Sequence, residues 1–541
     1  MTKAPSARLL RMLGCAALVA AASGVGCTHV RARPEVLVAR LQDVPGGYVT
    51  GEVVGLSRRV QLDNKDFIYT IALTPNPNEA AYTRLAGKTI NLAMWSLAEP
   101  ARLISDVPLN DYQFDVESVD YSPDGKRVVT AGRDGVLRFF EAETGKAELV
   151  TYAEEPLVAA VFTPDGKHVV AGSAHGLLSV FRASDGAFES ELRAHRGEVR
   201  AVAVTDDGRI FTGGWDKTIA VFTLEMAPVA VDEIHLSISQ TPTKVAVVRA
   251  ALGGHMGVFA FDAAQPWVVV GPKLAHAAGI QEALLSETTR VKGNEAKVAH
   301  GQTITLKQLT LENIDVAVCD NCLVEGTDGI LGAPVLNRFT LDDNPITHEL
   351  VLIAKEKHDP ATLPQTPTLK EQKRFTFDAY VNDFSVDRRG ERLGVALSHD
   401  KAERNREVYQ REKNKVSPPW YAEDTAALVD AETGAILQRW HPHTTIVSSV
   451  GISPDGKTLV SGGWDNAVFV LREGEPEPRD REDFGWIIRR VRFSRDGRLV
   501  GVAAWTPQNA IGDQQSDPSS VIYDATYEAF TVAPRTMVGE R

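Results

Sequence analysis

Five copies of one short turn constrain this chain more than anything else in it. Ser453-Pro454-Asp455-Gly456 recurs as SPDG from Ser122, TPDG from Thr163, TDDG from Thr205 and SRDG from Ser494. Proline presets φ for such a turn, aspartate accepts nearby backbone N–H groups, and glycine takes the positive φ that closes it. Successive first residues stand 41 apart (122 to 163), 42 apart (163 to 205) and 41 apart (453 to 494). Around the 453 copy, residues 451–471 read GISPDGKTLVSGGWDNAVFVL: strand, turn, strand, turn, strand. Leu459, Val460, Val468 and Val470 are its strand formers, and Asp465 sits in the second turn. A period of about 40–45 residues with four short strands in each is that of a propeller blade.

The unit resembles the WD-repeat β-propellers. The copy over residues 195–226 is nearest the family pattern. His195-Arg196-Gly197-Glu198-Val199 matches the loop before the innermost strand, and Thr212 and Asp216 match two more members of a structural hydrogen-bonded tetrad. The fourth member, a tryptophan, is Phe222 here. A later copy repeats the set as His443, Ser461 and Asp465, with Leu471 in the last place. A histidine, a hydroxyl and an aspartate invite a catalytic reading. Buried polar groups must be paired, however, so the expectation is a network that locks one blade to the next. Trp215 and Trp464 each precede the turn aspartate and either line a binding surface or pack beneath the turn. Packing is the expected role.

Placed against this period, the chain divides as follows. Residues 27–60 form a tether and a possible ring-closing strand, 61–229 carry blades one to four, and 375–535 carry blades five to seven. Blade one is degenerate, with strands expected at 68–73, 81–85 and 90–95; blade five begins with strands at 375–384 and 393–397. Within blade five, residues 401–420 (KAERNREVYQREKNKVSPPW) are densely charged and end in two prolines, as a solvated rim segment does. A second polar insertion is expected around 507–519. From Thr205 to Val386 the chain runs 181 residues where about 42 would serve. A domain is therefore inserted after blade four, over 230–345, and residues 346–374 link back to blade five.

The insertion reads as a small β-rich unit, with strands expected at 245–250, 258–262, 268–270, 303–311 and 314–318 and helices at 272–278 and 335–339. This order resembles the retropepsin-like aspartic peptidase lobe. In VFAFDAAQPWVVV, Asp262 stands where the family's catalytic aspartate would be, Ala263 replaces the Thr or Ser, and Ala264 replaces the Gly. DGILGAPVLNRF, from Asp328, matches the family's second landmark. The resemblance implies a lobe that pairs with a second copy to bring two aspartates together. A methyl at Ala263 cannot make the family's interlocking hydrogen bond, and Ala264 would be strained if its φ were positive.

Lys3, Arg8 and Arg11 precede an apolar run over 12–22, too short for a membrane span, so residues 1–26 read as an export signal. Gly24-Val25-Gly26-Cys27 resembles a bacterial lipobox, which implies a lipidated Cys27. The alternative is ordinary cleavage after Ala20-Ala21-Ala22, leaving Cys27 a thiol. Acylation leaves the mature chain the even pair Cys319 and Cys322, which favours the lipid. In an exported chain that pair is expected as a disulfide, because two cysteines supply only half of a zinc site. The net charge of −13 argues against a nucleic-acid surface.

The expected protein is all-β: a seven-bladed β-propeller with an inserted small β-rich retropepsin-like domain. Its expected role is a scaffold that binds a protein or peptide, attached to the membrane through a lipid anchor, exported and facing the periplasm from the outer membrane, without cofactor, metal or nucleic acid. The alternative is a dimeric retropepsin-like aspartic endopeptidase using Asp262.

Overall fold

The computed structural model describes residues 53–63, 68–74, 79–98, 100–111, 115–229, 231–344, 349–398, 424–484, 487–505 and 520–527. The export signal, Cys27, the charged stretch at 401–420 and the insertion at 507–519 lie outside the described residues.

Seven sheets of four strands each dominate the molecule. Their innermost strands are Ile68–Leu73, Val116–Tyr121, Leu157–Phe162, Val199–Val204, Tyr380–Val386, Val447–Ile452 and Ile487–Phe493, and the sheets are numbered one to seven in that order. Each innermost strand packs on the next, and the last packs on the first. This is the organisation of a β-propeller. Sheets stacked face to face bury both faces of their inner strands, so a strand such as LVAAVF at 157–162 is almost wholly apolar. Between sheets two and three lie Val129, Leu137, Phe139, Phe162, Val169 and Phe181. Outer strands are far more exposed, as in Ala147–Tyr152. The recurring turn holds itself together: Ser122 donates to Asp124 Oδ1 at 2.6 Å, Arg127 N donates to Ser122 Oγ at 2.9 Å, and Gly125 has φ 72°.

Sheet seven joins the two ends of the described chain, since Val53–Asp63 pairs antiparallel with Ser520–Tyr527. Sheet four departs from the sequence expectation. Its third strand, Thr218–Pro228, pairs with Gln365–Thr376 over its whole length, from Thr218 opposite Thr376 to Pro228 opposite Gln365. The intervening residues therefore lie within sheet four rather than after it. Residues 346–374, expected as a linker, carry Glu349–Ala354 and most of that outer strand. Phe375, assigned from sequence to blade five, faces Ile219 in sheet four. The cause is the open edge of Thr218–Pro228, whose backbone groups need a partner and find it in the extended segment that leaves the inserted sheets.

The inserted residues form a three-stranded sheet, made by Glu233–Ser237, Glu349–Ala354 and Phe339–Asn344, and an eight-stranded sheet. They share one apolar core that includes Ile234, Leu236, Val248, Phe259, Val268, Ile304, Val316, Leu331 and Leu352. The segment expected as one strand at 303–311 is a hairpin instead. Asn294–Leu306 turns at Lys307 (φ 51°) into Leu309–Val318. That turn docks the insertion on the propeller. The Lys307 ammonium, only 5% exposed, meets Glu154 at 3.1 Å, Glu191 at 2.5 Å and the His235 carbonyl. Arg193 and Glu349, 2.6 Å apart, add a second bridge, and the Ser237 N–H donates to Glu154 at 2.8 Å.

Candidate functional site

The expected tetrads are positioned by the loop entering each innermost strand and by the turn between second and third strands. In sheet four, His195 Nδ1 lies 2.9 Å from Asp216 Oδ1 and Nε2 lies 2.9 Å from Thr212 Oγ1. Thr218 Oγ1 donates to Asp216 at 2.7 Å, and the Arg196 N–H donates to its other oxygen at 3.0 Å. In sheet six, His443 Nδ1 is 2.8 Å from Asp465 and Nε2 is 2.9 Å from Ser461 Oγ. Burial pushes both aspartates up. The hydrogen bonds from histidine and from the following loop outweigh it and hold the carboxyls below their usual range. Both imidazoles are enclosed, and Phe222 and Leu471 fill buried positions. With every polar atom of the histidine committed inward, this set holds loops together and offers no surface to a substrate.

The tryptophans beside these turns differ. Trp464 is 41% exposed, which corrects the expectation that it packs under its turn. Trp215 is half-buried, with the Arg200 guanidinium 5.3 Å from its ring centroid. Both occupy the same turn position and so share one face of the propeller.

Towards the axis, each innermost strand has a free edge. Every one of the seven has an irregularity in its pairing at one height, opposite Tyr69, Glu117, Val158, Arg200, Asn382, Ser448 and Arg489. Below that ring, side chains of one sheet cap backbone N–H groups of the next. Ala160 N donates to Ser118 Oγ at 2.9 Å, Phe162 N to Asp120 at 2.9 Å, Val491 N to Ser449 Oγ at 3.0 Å and Val450 N to Asp383 at 3.3 Å. These bonds satisfy edge donors that would otherwise face the channel unpaired.

The channel wall is strongly charged. Glu117 meets Arg133 at 2.8 Å and Arg200 at 3.5 Å, while Glu198 meets Arg200 at 2.5 Å and Arg133 at 3.1 Å. Burial raises the Glu117 carboxyl, but Arg200, Arg489 and Arg133 overcome it and bring it to about 2. Asp383, fully buried, receives Arg492 through two bonds of 2.8 and 2.9 Å and Arg490 at 3.1 Å, and is likewise held at about 2 against burial. Asp120 behaves oppositely. Burial outweighs the Phe162 N–H and the more distant Arg495 and Arg492, pushing it up to about 7.

Residues 108–141, 186–223 and 434–470 match the WD domain, G-beta repeat family. The chain carries three WD40 repeats. Each match begins near or within the outer strand of one sheet and runs into the third strand of the next, so a WD40 repeat and a sheet are offset by one strand. No curated protein matches the chain.

Outside the WD40 repeats, Asp262 is exposed at the end of His255–Phe261 and its Oδ1 accepts the Ala264 N–H at 3.0 Å. Among the described non-glycine residues, positive φ occurs at Lys217, Lys244, Lys292, Lys307, Asn313 and Asn466. Ala264 is not among them, so the strain considered for it is not incurred. Cys319 and Cys322 form a disulfide in the loop after Leu309–Val318, and Cys322 Sγ lies 3.5 Å from the Val291 carbonyl. Sequence reasoning missed the channel charges. The signal was present: RRVRF at 489–493 puts three arginines on an innermost strand whose counterpart at 448–452 reads SSVGI.

Proposed function

We propose that this chain is a protein-interaction scaffold whose seven sheets are the blades of one propeller, lipid-anchored through Cys27 in the bacterial cell envelope on the periplasmic side of the outer membrane. The observation that carries the binding role is Trp464, exposed on a molecule with WD40 repeats, on the same face as the Arg200–Trp215 pair two sheets away. Tryptophan and arginine are the residues that most often anchor protein interfaces. The test is affinity capture from solubilised membranes of the native host with the wild type and with Trp464→Ala. A partner held by the wild type and lost by the variant, at unchanged melting temperature, supports this face. A partner held equally by both removes the face from the reading. For the anchor, intact mass of the membrane-extracted protein should begin at an acylated Cys27, and a soluble species starting at Ser23 counts against it.

The inserted unit is, in this reading, a retropepsin-like lobe without working catalytic machinery. Its support is topological. Phe259–Phe261 runs parallel to Gly329–Leu331, Val268–Val270 runs parallel to Val316–Val318, and Asp262 N donates to Leu331 O at 3.0 Å. The two loops so interlocked come so close that a Cβ on Gly332 would stand 2.0 Å from the Trp267 carbonyl oxygen. Exposure of Asp262 favours the rival reading, a dimeric aspartic endopeptidase, because such a site forms only where two aspartates meet and share a proton. Ala263 opposes it, having no hydroxyl to fix the loop. Purified protein should cleave no peptide library between about pH 3 and 7, and turnover abolished by Asp262→Asn would promote the enzyme.

A further inference from the structure

Among the described residues, the channel holds more positive charge than its own carboxylates balance. The innermost strands enclose a cavity of about 310 Å³, at the lower end of the roughly 300–1,000 Å³ common for small-molecule sites. Five guanidiniums line it: Arg200, Arg388, Arg490, Arg492 and Arg495. They share acids rather than pairing one to one. Arg490 and Arg492 both lean on Asp383. Arg388 and Arg495 both lean on Asp206, at 2.6 and 2.8 Å. Arg200 shares Glu117 and Glu198 with Arg133.

Of the lining carboxyls, Asp120, pushed up to about 7, adds only part of a negative charge at neutral pH, while Asp387 turns its Oδ1 to the Glu391 and Arg392 N–H groups at 2.8 and 3.0 Å. The wall therefore carries an excess of cation inside a chain of net charge −13. Arg490 shows it most directly. Its side chain is 9% exposed, and burial, with Arg492 and Arg200 nearby, brings it down to about 10 despite Asp383.

One end of the channel is built for the same purpose. The second residue of the recurring turn rings that mouth, and it is Pro123, Pro164 and Pro454 in sheets two, three and six. In sheets four, five and seven it is Asp206, Arg388 and Arg495, and these three join one another. The Asp206–Arg495 bridge links sheets four and seven, which have two sheets between them on one way round the ring and three on the other. Among the six described turns, three therefore place charges at this mouth that meet one another.

We propose that the channel is a binding site for a compact oxyanion of the phosphate class, held by Arg490 and Arg492 on the wall and by Arg388 and Arg495 at the mouth. Guanidinium suits this ligand because its planar fork delivers paired N–H bonds to two oxygens at once. The anion would supply the counter-charge that Asp383 and Asp206 each divide between two arginines.

The test is calorimetric titration of the full chain with inorganic phosphate and with glycerol phosphate, at constant ionic strength in potassium chloride. Saturable one-to-one binding of either supports the site, and the tighter of the two tells whether the natural anion is free or esterified. Arg490→Gln should weaken binding about tenfold or more, the scale of one lost charge-assisted bond. Arg495→Gln, at a partly exposed mouth position, should weaken it measurably and keeps the test readable if Arg490→Gln does not fold. Lys370→Gln, on the ribbon leaving sheet four, should leave it unchanged. Absence of saturable binding, or binding indifferent to the arginine variants that fold, overturns the proposal.

Discussion

Replacing Asp120 by asparagine should stabilise the protein by an amount that grows with pH. The carboxyl stands on the innermost strand of sheet two, where burial raises it from 3.8 to about 7 and the Phe162 N–H with Arg495 and Arg492 offsets only part of the cost. The unfolded chain loses this proton near 3.8 and the folded chain near 7. Between those values the folded state holds a proton that the unfolded state has released, so raising the pH through this window lowers wild-type stability. At 1.36 kcal/mol per unit, a gap of about three units corresponds to about 4 kcal/mol. Water in the channel screens part of this, leaving roughly 2–4 kcal/mol. Asparagine stays neutral and keeps an oxygen for the Phe162 N–H. Urea unfolding of both proteins at about pH 3 and pH 8 should give nearly equal stability at the lower pH and a gain of roughly 2–4 kcal/mol for Asp120→Asn at the higher. Glu117 and Asp383, both held at about 2, push the profile the other way but are common to both proteins and cancel in the difference. A difference independent of pH, or a loss of stability at pH 8, would refute the reasoning.

Three further outcomes are expected. Replacing residues 227–366 with Asn-Gly, a dipeptide suited to a two-residue hairpin, should leave a propeller that unfolds cooperatively, because Met226 and Pro367 already face each other; loss of cooperative unfolding would mean that the two parts share one core. Lys307→Met should cost about 3–5 kcal/mol, since it leaves Glu154 and Glu191 buried side by side without their cation, and a melting temperature equal to wild type would contradict this. Cys319 and Cys322 should resist alkylation until a reductant is added, and free thiols in freshly extracted protein would count against the disulfide.

Much of the propeller was legible because its turns are punctuated by residues with few alternatives, such as the Gly that must take positive φ at 125, 166, 208, 456 and 497. The tetrads were legible because histidine, hydroxyl and aspartate recur at fixed offsets. The outer strand of sheet four was not, because no local pattern tells Gln365–Thr376 that its partner lies before the insertion. The hairpin at Lys307 was missed for a different reason. Lysine with a left-handed φ carries no turn signature, and the Leu306-Lys307-Gln308-Leu309 text reads as continuous strand. The channel charges lay in plain view as RRVRF, but their partners Asp383 and Glu117 are distant in sequence and meet them only once the sheets close.

The ribbon that roots the insertion also bears on the order in which the chain acquires its structure. Closing Pro228 onto Gln365 through a flexible loop of 136 residues (229 to 364) would cost about 4 kcal/mol of chain entropy. If the inserted sheets form first, with Glu233–Ser237 already beside Glu349–Ala354, only 229–232 and 355–364 remain to be closed, and that cost falls to about 2 kcal/mol. Until then Thr218–Pro228 presents an open strand edge, the kind of surface that pairs with a neighbouring chain. On that order, the insertion's own maturation delivers the missing strand of sheet four, and variants that slow it should aggregate through that edge before they lose any contact in the finished molecule.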